Sequence, residues 1–125
     1  MEGLPIMNVI TKVLSVLVAL EFLYIFYLET LATTSEKTSS VFGMTTEELS
    51  QKNVKVLFKN QGVYNGLLSV LILLAVFAFA SKAAVVILMA YIVAVALYGS
   101  LTSNPKIILM QGGLAIVTLC LCLIF

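Results

Sequence analysis

Four long apolar runs, separated by short polar stretches, dominate the pattern of this chain. A helix needs about 20 apolar residues to cross the hydrocarbon core of a bilayer, and each run with its flanks approaches that length. The pattern therefore predicts transmembrane helices at about 6–31, 60–80, 83–100 and 106–125. We expect an all-α fold, a four-helix transmembrane bundle, formed by a single integral membrane domain over residues 1–125.

Residues 32–59 form the only extended polar segment. Thr33–Ser40 is rich in serine and threonine, which predicts a loop. Thr45 and Glu48 have the spacing of a capping box, which marks the start of a helix. Helical spacing then continues, so we expect one helix from about Thr46 to Ala80. Its length of about 50 Å exceeds the hydrocarbon layer of about 30 Å, so its short amphipathic first part extends beyond the membrane.

Composition agrees with a membrane protein and narrows its chemistry. The chain is 62% apolar and 10% charged, with a mean hydropathy of +1.15. The net charge of +1 gives no basic surface for nucleic acid. Histidine and arginine are absent, so imidazole catalysis and the commonest metal ligand are unavailable. We expect no cofactor, no metal and no nucleic acid partner; whether the chain is an enzyme stays open, with the composition pointing away from it.

The most informative stretch is Asn60–Gly66, at the start of the second predicted span. Gly62 and Gly66 form a G-x-x-x-G pair, which lets another helix approach closely. Polar side chains in a span are costly and therefore indicate a site. The candidate ligand-binding or proton-carrying residues of this stretch are Asn60, Gln61, Tyr64 and Asn65.

Each of the other spans brings a polar residue to the same end of the predicted bundle. Glu29 ends the first span, Tyr98 closes the third, and Gln111 lies a few residues into the fourth. We add these three residues to the candidate site. The alternative is structural: amides in spans often stabilise helix contacts, and tyrosines often lie at the membrane interface.

Glu21 is predicted to lie deeper, about 12 Å from Glu29 along the first span. An ionised carboxylate there is expensive, so we expect a neutral acid that hydrogen-bonds to Tyr24 or Tyr91. Glu21 is therefore the last candidate proton-carrying residue. A structural role, facing a neighbouring helix, stays open.

Lysine placement predicts the orientation in the membrane. Five lysines fall on the side of the first and third loops and two on the other side. Lysine-rich loops tend to stay cytoplasmic, so we expect both termini outside a bacterial plasma membrane. Lys52, Lys55 and Lys59 can equally form a solvated face or a face toward lipid headgroups.

Five short motifs occur in order over nearly the whole chain: Tyr27-Leu28-Glu29, Val41-Phe42-Gly43, Asn60 to Gly66, Tyr98-Gly99 and Gln111-Gly112. With them the chain resembles a family of small bacterial integral membrane proteins that is catalogued as a domain of unknown function. The chain departs from that family's pattern in having Phe22 where histidine is frequent, and Gly113-Leu114 where proline is frequent. The resemblance implies four spans and no particular activity.

Three functions fit these observations. The first is a small-solute or proton-coupled carrier, which at this size needs a homodimer to enclose a pathway. The second is a membrane-embedded binder or enzyme for a lipid or quinone-like molecule, with Glu29 as acid or base and Tyr64 and Tyr98 as proton donors. The third is an accessory or scaffold subunit, in which the polar cluster only stabilises helix contacts.

Overall fold

The computed structural model describes residues 7–125, except for the side chain of Ile107. The described residues are helical and contain no strand, which confirms the predicted all-α fold class. The predicted start of the first span at Ile6 lies outside them. The helices are α1 (Val9–Leu31), α2 (Glu36–Phe42), α3 (Thr46–Ser50), α4 (Lys52–Ala78), α5 (Lys82–Thr102), α6 (Ile107–Met110) and α7 (Gly113–Ile124).

Three of these helices are long and apolar enough to cross a membrane. They are α1 with 23 residues, α4 with 27 and α5 with 21. Their outward faces are apolar as well: Leu20, Phe77, Ile87 and Leu101 are all more than half exposed. Water tolerates such faces poorly, whereas acyl chains solvate them.

The last apolar run differs from the single predicted helix at 106–125. It is divided into α6 and α7, and α7 alone spans about 18 Å, less than the hydrocarbon thickness of about 30 Å. The break falls at Gln111 and Gly112. A Cβ atom on Gly112 would lie 2.7 Å from the Ile108 carbonyl oxygen and 3.1 Å from Ala96 Cβ. Glycine is therefore needed mainly because of the Ile108 carbonyl of the preceding turn, and the approach to Ala96 of α5 adds a second tight contact.

Part of the predicted Thr33–Ser40 loop is helical, which corrects the sequence-based expectation. Ser35 caps the start of α2, because its side chain accepts a hydrogen bond from the Thr38 N–H at 3.2 Å. Gly43 ends the helix with φ of 67°, a left-handed conformation that costs glycine little. Local capping thus outweighs the loop-like composition.

The predicted capping box of Thr45 and Glu48 is confirmed at the start of α3. The predicted continuous helix from Thr46 to Ala80 is wrong, however, because Gln51 is extended with φ −61° and ψ 135°. The extended Gln51 separates α3 from α4, and Leu49 of α3 is completely buried. The helix that follows still begins well before the apolar run, as predicted.

The chain forms two compact units. The motif unit is Ala19–Val70, and its core includes Phe22 and Leu28 of α1 and Leu68 of α4. The terminal unit contains the described residues up to Val18 together with Leu71–Phe125. In the terminal unit α5 packs against α7, and the buried residues of α5 form a helical stripe, Val85, Met89, Ile92 and Ala96.

The packing of α5 yields a stability prediction. Gly112→Ala places a methyl group against the Ile108 carbonyl and Ala96, so we expect the variant to lose about 1–3 kcal/mol, the usual cost of overpacking. Gly113→Ala is the matched control, because nothing lies within 4 Å of its Cβ position. Unfolding in detergent, followed by circular dichroism, compares the two. Equal stability of the two variants would contradict the proposed contact.

Candidate functional site

Glu29 and Asn65 form the centre of the candidate site in the motif unit. Glu29 lies in the last turn of α1 and is only 5% exposed. Its Oε1 accepts a hydrogen bond from Asn65 Nδ2 on α4 at 2.6 Å. Of the polar residues that the sequence singles out, these two meet directly. The donor is a neutral amide, so it leaves the charge of an ionised Glu29 uncompensated.

Gly62 and Gly66 make this meeting possible. They are one turn apart on α4, and both lie against α1. A Cβ atom on Gly62 would overlap Thr30 Oγ1 and lie 3.0 Å from Glu29 Cβ. A Cβ atom on Gly66 would lie 3.0 Å from the Phe26 ring. Any larger residue at these positions would separate the two helices and lengthen the hydrogen bond to Glu29.

The carboxyl group projects from a π-helical turn, Tyr27–Leu31, in which the Ala32 N–H donates to the Tyr27 carbonyl at 2.9 Å. Such turns are rare and frequently occur at functional sites. Nearby hydroxyl groups donate to carbonyls of this region. Thr33 Oγ1 donates to the Glu29 carbonyl at 2.6 Å, and Thr38 Oγ1 donates to the Ala32 carbonyl at 2.6 Å. These bonds help to satisfy the backbone at the end of α1 and anchor α2 to it.

A reciprocal pair of hydrogen bonds closes the same end of α1. Thr30 Oγ1 donates to the Lys59 carbonyl at 2.8 Å, and Lys59 Nζ donates to the Thr30 carbonyl at 2.9 Å. A cation at a helix C-terminus is favourable, because the partial charge of the helix there is negative. Lys59 is thus bonded to the protein, rather than only solvated.

Sequence reasoning missed four residues whose side chains donate hydrogen bonds at the end of α1 around Glu29: Thr30, Thr33, Thr38 and Lys59. Two of them carried a usable signal. Thr33 follows Glu29 by four residues, which is the spacing at which a hydroxyl bonds back to a helix carbonyl. Lys59 precedes Gly62 by three residues, so both lie on one side of α4. The partners of Thr38 depend on how α2 folds back, which has no local signal.

The remaining candidates of the motif lie on other faces of α4. Asn60 and Gln61 are exposed, and Tyr64 is 72% exposed. The stretch thus turns Asn65 and the two glycines inward and three polar side chains outward. Tyr98, 71% exposed, and Gln111, half-buried, belong to the terminal unit. That they gather with the motif stays a prediction.

Glu21 lacks the partner that the sequence suggested. Its Oε1 is buried and accepts no hydrogen bond from any residue within 7–125. Tyr24 and Tyr91 are 46% and 58% exposed. Oε1 therefore receives no hydrogen bond from Tyr24, and the alternative bond from Tyr91, which belongs to the terminal unit, stays a prediction.

Three long helices with apolar outward faces are typical of a helical membrane protein. The chain belongs to the family described as Protein of unknown function (DUF1304), whose profile matches residues 16–123. This membership confirms the resemblance to a family of unknown function. The chain is 57% identical over 114 residues to Uncharacterized protein YpaA of Lactococcus lactis subsp. lactis (strain IL1403), covering 90% of this chain and 96% of that protein. No solved structure matches the chain significantly.

The arrangement of Glu29 suits the binding of a proton or a small cation. A buried carboxyl group with one neutral partner can take up either and release it again when its surroundings change. It suits joint acid–base catalysis with Tyr64 less well, because the tyrosine side chain is exposed while the carboxyl is buried.

The contact between Glu29 and Asn65 can be tested by stability. We expect Asn65→Ala to destabilise the protein by about 1 kcal/mol, because it removes a hydrogen bond between two candidate membrane-spanning helices. Asn60→Ala is the matched control on the same helix, with an exposed side chain and an expected change within about 0.5 kcal/mol. Unfolding by a denaturing detergent, followed by circular dichroism, measures both. A larger loss in Asn60→Ala would contradict the assignment.

Proposed function

We propose that this protein is a small membrane carrier that moves a small solute in exchange for a proton held on Glu29. The observation that supports it most is the burial of Glu29 beside a neutral amide, with 5% of the residue exposed. Ionisable groups inside spans are costly and typically mark ion pathways or proton relays. Carrying a proton removes that cost, and exchanging it provides a driving force.

Glu21 supports the same proposal. It precedes Glu29 by eight residues on α1, about 12 Å along the helix axis, and both residues belong to the motif unit. Its buried Oε1 has no partner in residues 7–125. Two carboxyl groups spaced along one helix can hold a proton at successive depths. We infer that Glu21 is the deeper proton-binding group of the carrier.

The carrier is inferred to have four spans with both termini outside the bacterial plasma membrane. The fourth span is inferred to be α6 and α7 together, because α7 alone covers only about 18 Å of the hydrocarbon thickness of about 30 Å. The lysine distribution supports the orientation. At this chain length a pathway needs walls from a second copy, so we infer a homodimer. The exposed Asn60, Gln61 and Tyr64 are the inferred solute contacts of the motif unit.

A scaffold function is the second candidate, and it too has a specific observation in its favour. The reciprocal Thr30–Lys59 bonds and the two glycine contacts hold α1 and α4 together whether or not anything is carried. In a scaffold the hydrogen bond between Glu29 and Asn65 would likewise only hold α1 and α4 together. The two candidates differ in what Glu29 does beyond stability.

Transport separates them. Purified protein is reconstituted into vesicles that contain a pH-sensitive dye and carry an imposed pH gradient. An amino acid, a sugar or an organic cation is then added. We expect at least one solute class to speed the decay of the pH gradient in vesicles that contain the wild-type protein. With Glu29→Gln the solute-dependent rate should be at least tenfold lower, because the amide cannot exchange a proton.

Glu47→Gln is the matched control, since Glu47 is an exposed carboxylate on α3. It should behave like the wild type. If no solute class causes proton release, or if Glu29→Gln transports normally and only unfolds more easily, the carrier proposal is wrong. The second result would favour the scaffold.

A further inference from the structure

Three lysines form a stripe on the first two turns of α4. Lys52, Lys55 and Lys59 lie within about 60° of arc around the helix axis, and all three are exposed. We name them the lysine stripe. The last acidic residue of the sequence is Glu48, so α4 itself contains no carboxylate. The stripe is therefore uncompensated positive charge on its own helix.

The hydrogen bonds of Lys59 set the depth of this stripe. Lys59 and Thr30 are joined by two hydrogen bonds of 2.8 and 2.9 Å. Thr30 lies one residue before the end of α1 at Leu31, where the apolar run gives way to a polar segment. Lys59 is consequently held at the level where the hydrocarbon layer ends.

The other two lysines lie further out along α4. They precede Lys59 by four and seven residues, which places Lys55 and Lys52 about 6 and 10 Å beyond it along the helix axis. The headgroup region adds only about 5–8 Å to each side of the hydrocarbon core. Because α4 spans about 40 Å, it can cross the core and still place Lys55 in the headgroup layer and Lys52 a few ångströms beyond it, from where its long side chain reaches back to the phosphates.

We propose that the lysine stripe binds the phosphate groups of anionic phospholipids. The ammonium groups are compact donors that pair well with phosphate, and lysines beside a span attract anionic lipid. The nearest acids in sequence are on α3, where Glu48 already accepts the Thr45 N–H at 2.9 Å within its capping box. The site faces one leaflet and lies outside the proton-binding group, so it does not depend on the carrier function.

Lipid competition tests this site. The full-length protein in a neutral detergent is incubated with equal amounts of phosphatidylglycerol and phosphatidylcholine that have the same acyl chains. Native mass spectrometry then counts the lipids retained. We expect the wild type to prefer phosphatidylglycerol. In the double variant Lys52→Gln/Lys55→Gln the ratio of retained phosphatidylglycerol to phosphatidylcholine should fall about fivefold for each lysine removed. Lys59 is left unchanged, because it caps α1.

The double variant Lys37→Gln/Lys106→Gln is the matched control, since it removes the same charge from exposed positions outside α4. It should keep the preference. Equal retention of both lipids by the wild type overturns the proposal. An equal loss of the phosphatidylglycerol preference in the two double variants also overturns it, because it would show that only the net charge of the protein attracts the lipid. Added inorganic phosphate should displace no more lipid than sodium chloride at the same ionic strength; a larger displacement would identify a soluble phosphate as the occupant.

Discussion

The close approach of α1 and α4 in the motif unit is the constraint on which the rest depends. Apolar helices gain little from associating in lipid, because acyl chains solvate them as well as other helices do. Close backbone packing and interhelical hydrogen bonds must therefore hold them together. Gly62 and Gly66 provide the first, and the bonds of Asn65 and Lys59 provide the second. Without the glycines neither hydrogen bond could keep its length.

The π-helical turn at the end of α1 adds a second constraint. It changes which backbone groups are paired, and the hydroxyls of Thr33 and Thr38 donate to carbonyls in that region. The bond from Thr38 also attaches α2 to the end of α1. The polar segment after the first span is therefore fixed beside Glu29 and is not a free loop. A rare helical turn is thereby stabilised where the buried carboxyl of Glu29 projects.

These two constraints give the protein a functional asymmetry. One face of α4 is devoted to α1 and to Glu29, whereas Asn60, Gln61 and Tyr64 face outward. The buried Glu29, to which we assign the proton, is therefore separated from the exposed polar groups of the same stretch, to which we assign the solute. The proposed binding of anionic lipid by the lysine stripe would hold the start of α4 at the headgroup layer.

Much of this architecture follows from local pattern. Apolar run length determines α1, α4 and α5, because crossing a bilayer requires a minimum number of apolar residues. The capping box of Thr45 and Glu48 likewise marks the start of α3 from spacing alone. The importance of Glu29 and of the Asn60–Gly66 stretch also follows, since polar residues and paired glycines are conspicuous in an apolar run.

Tertiary packing decided what local pattern leaves open. Asn60, Gln61 and Asn65 have similar chemistry. The glycine pair indicates which face of α4 meets another helix, whereas tertiary packing decides that this helix is α1 and that Asn65 bonds to Glu29. The break at Gln111 and Gly112 falls inside an apolar run, and the contact of Gly112 with Ala96 of α5 is not encoded in that run. In a membrane the side of a helix that faces lipid and the side that faces another helix are both apolar. Hydrophobic periodicity therefore cannot reveal which face meets another helix, and that choice rests on contacts between residues far apart in the chain.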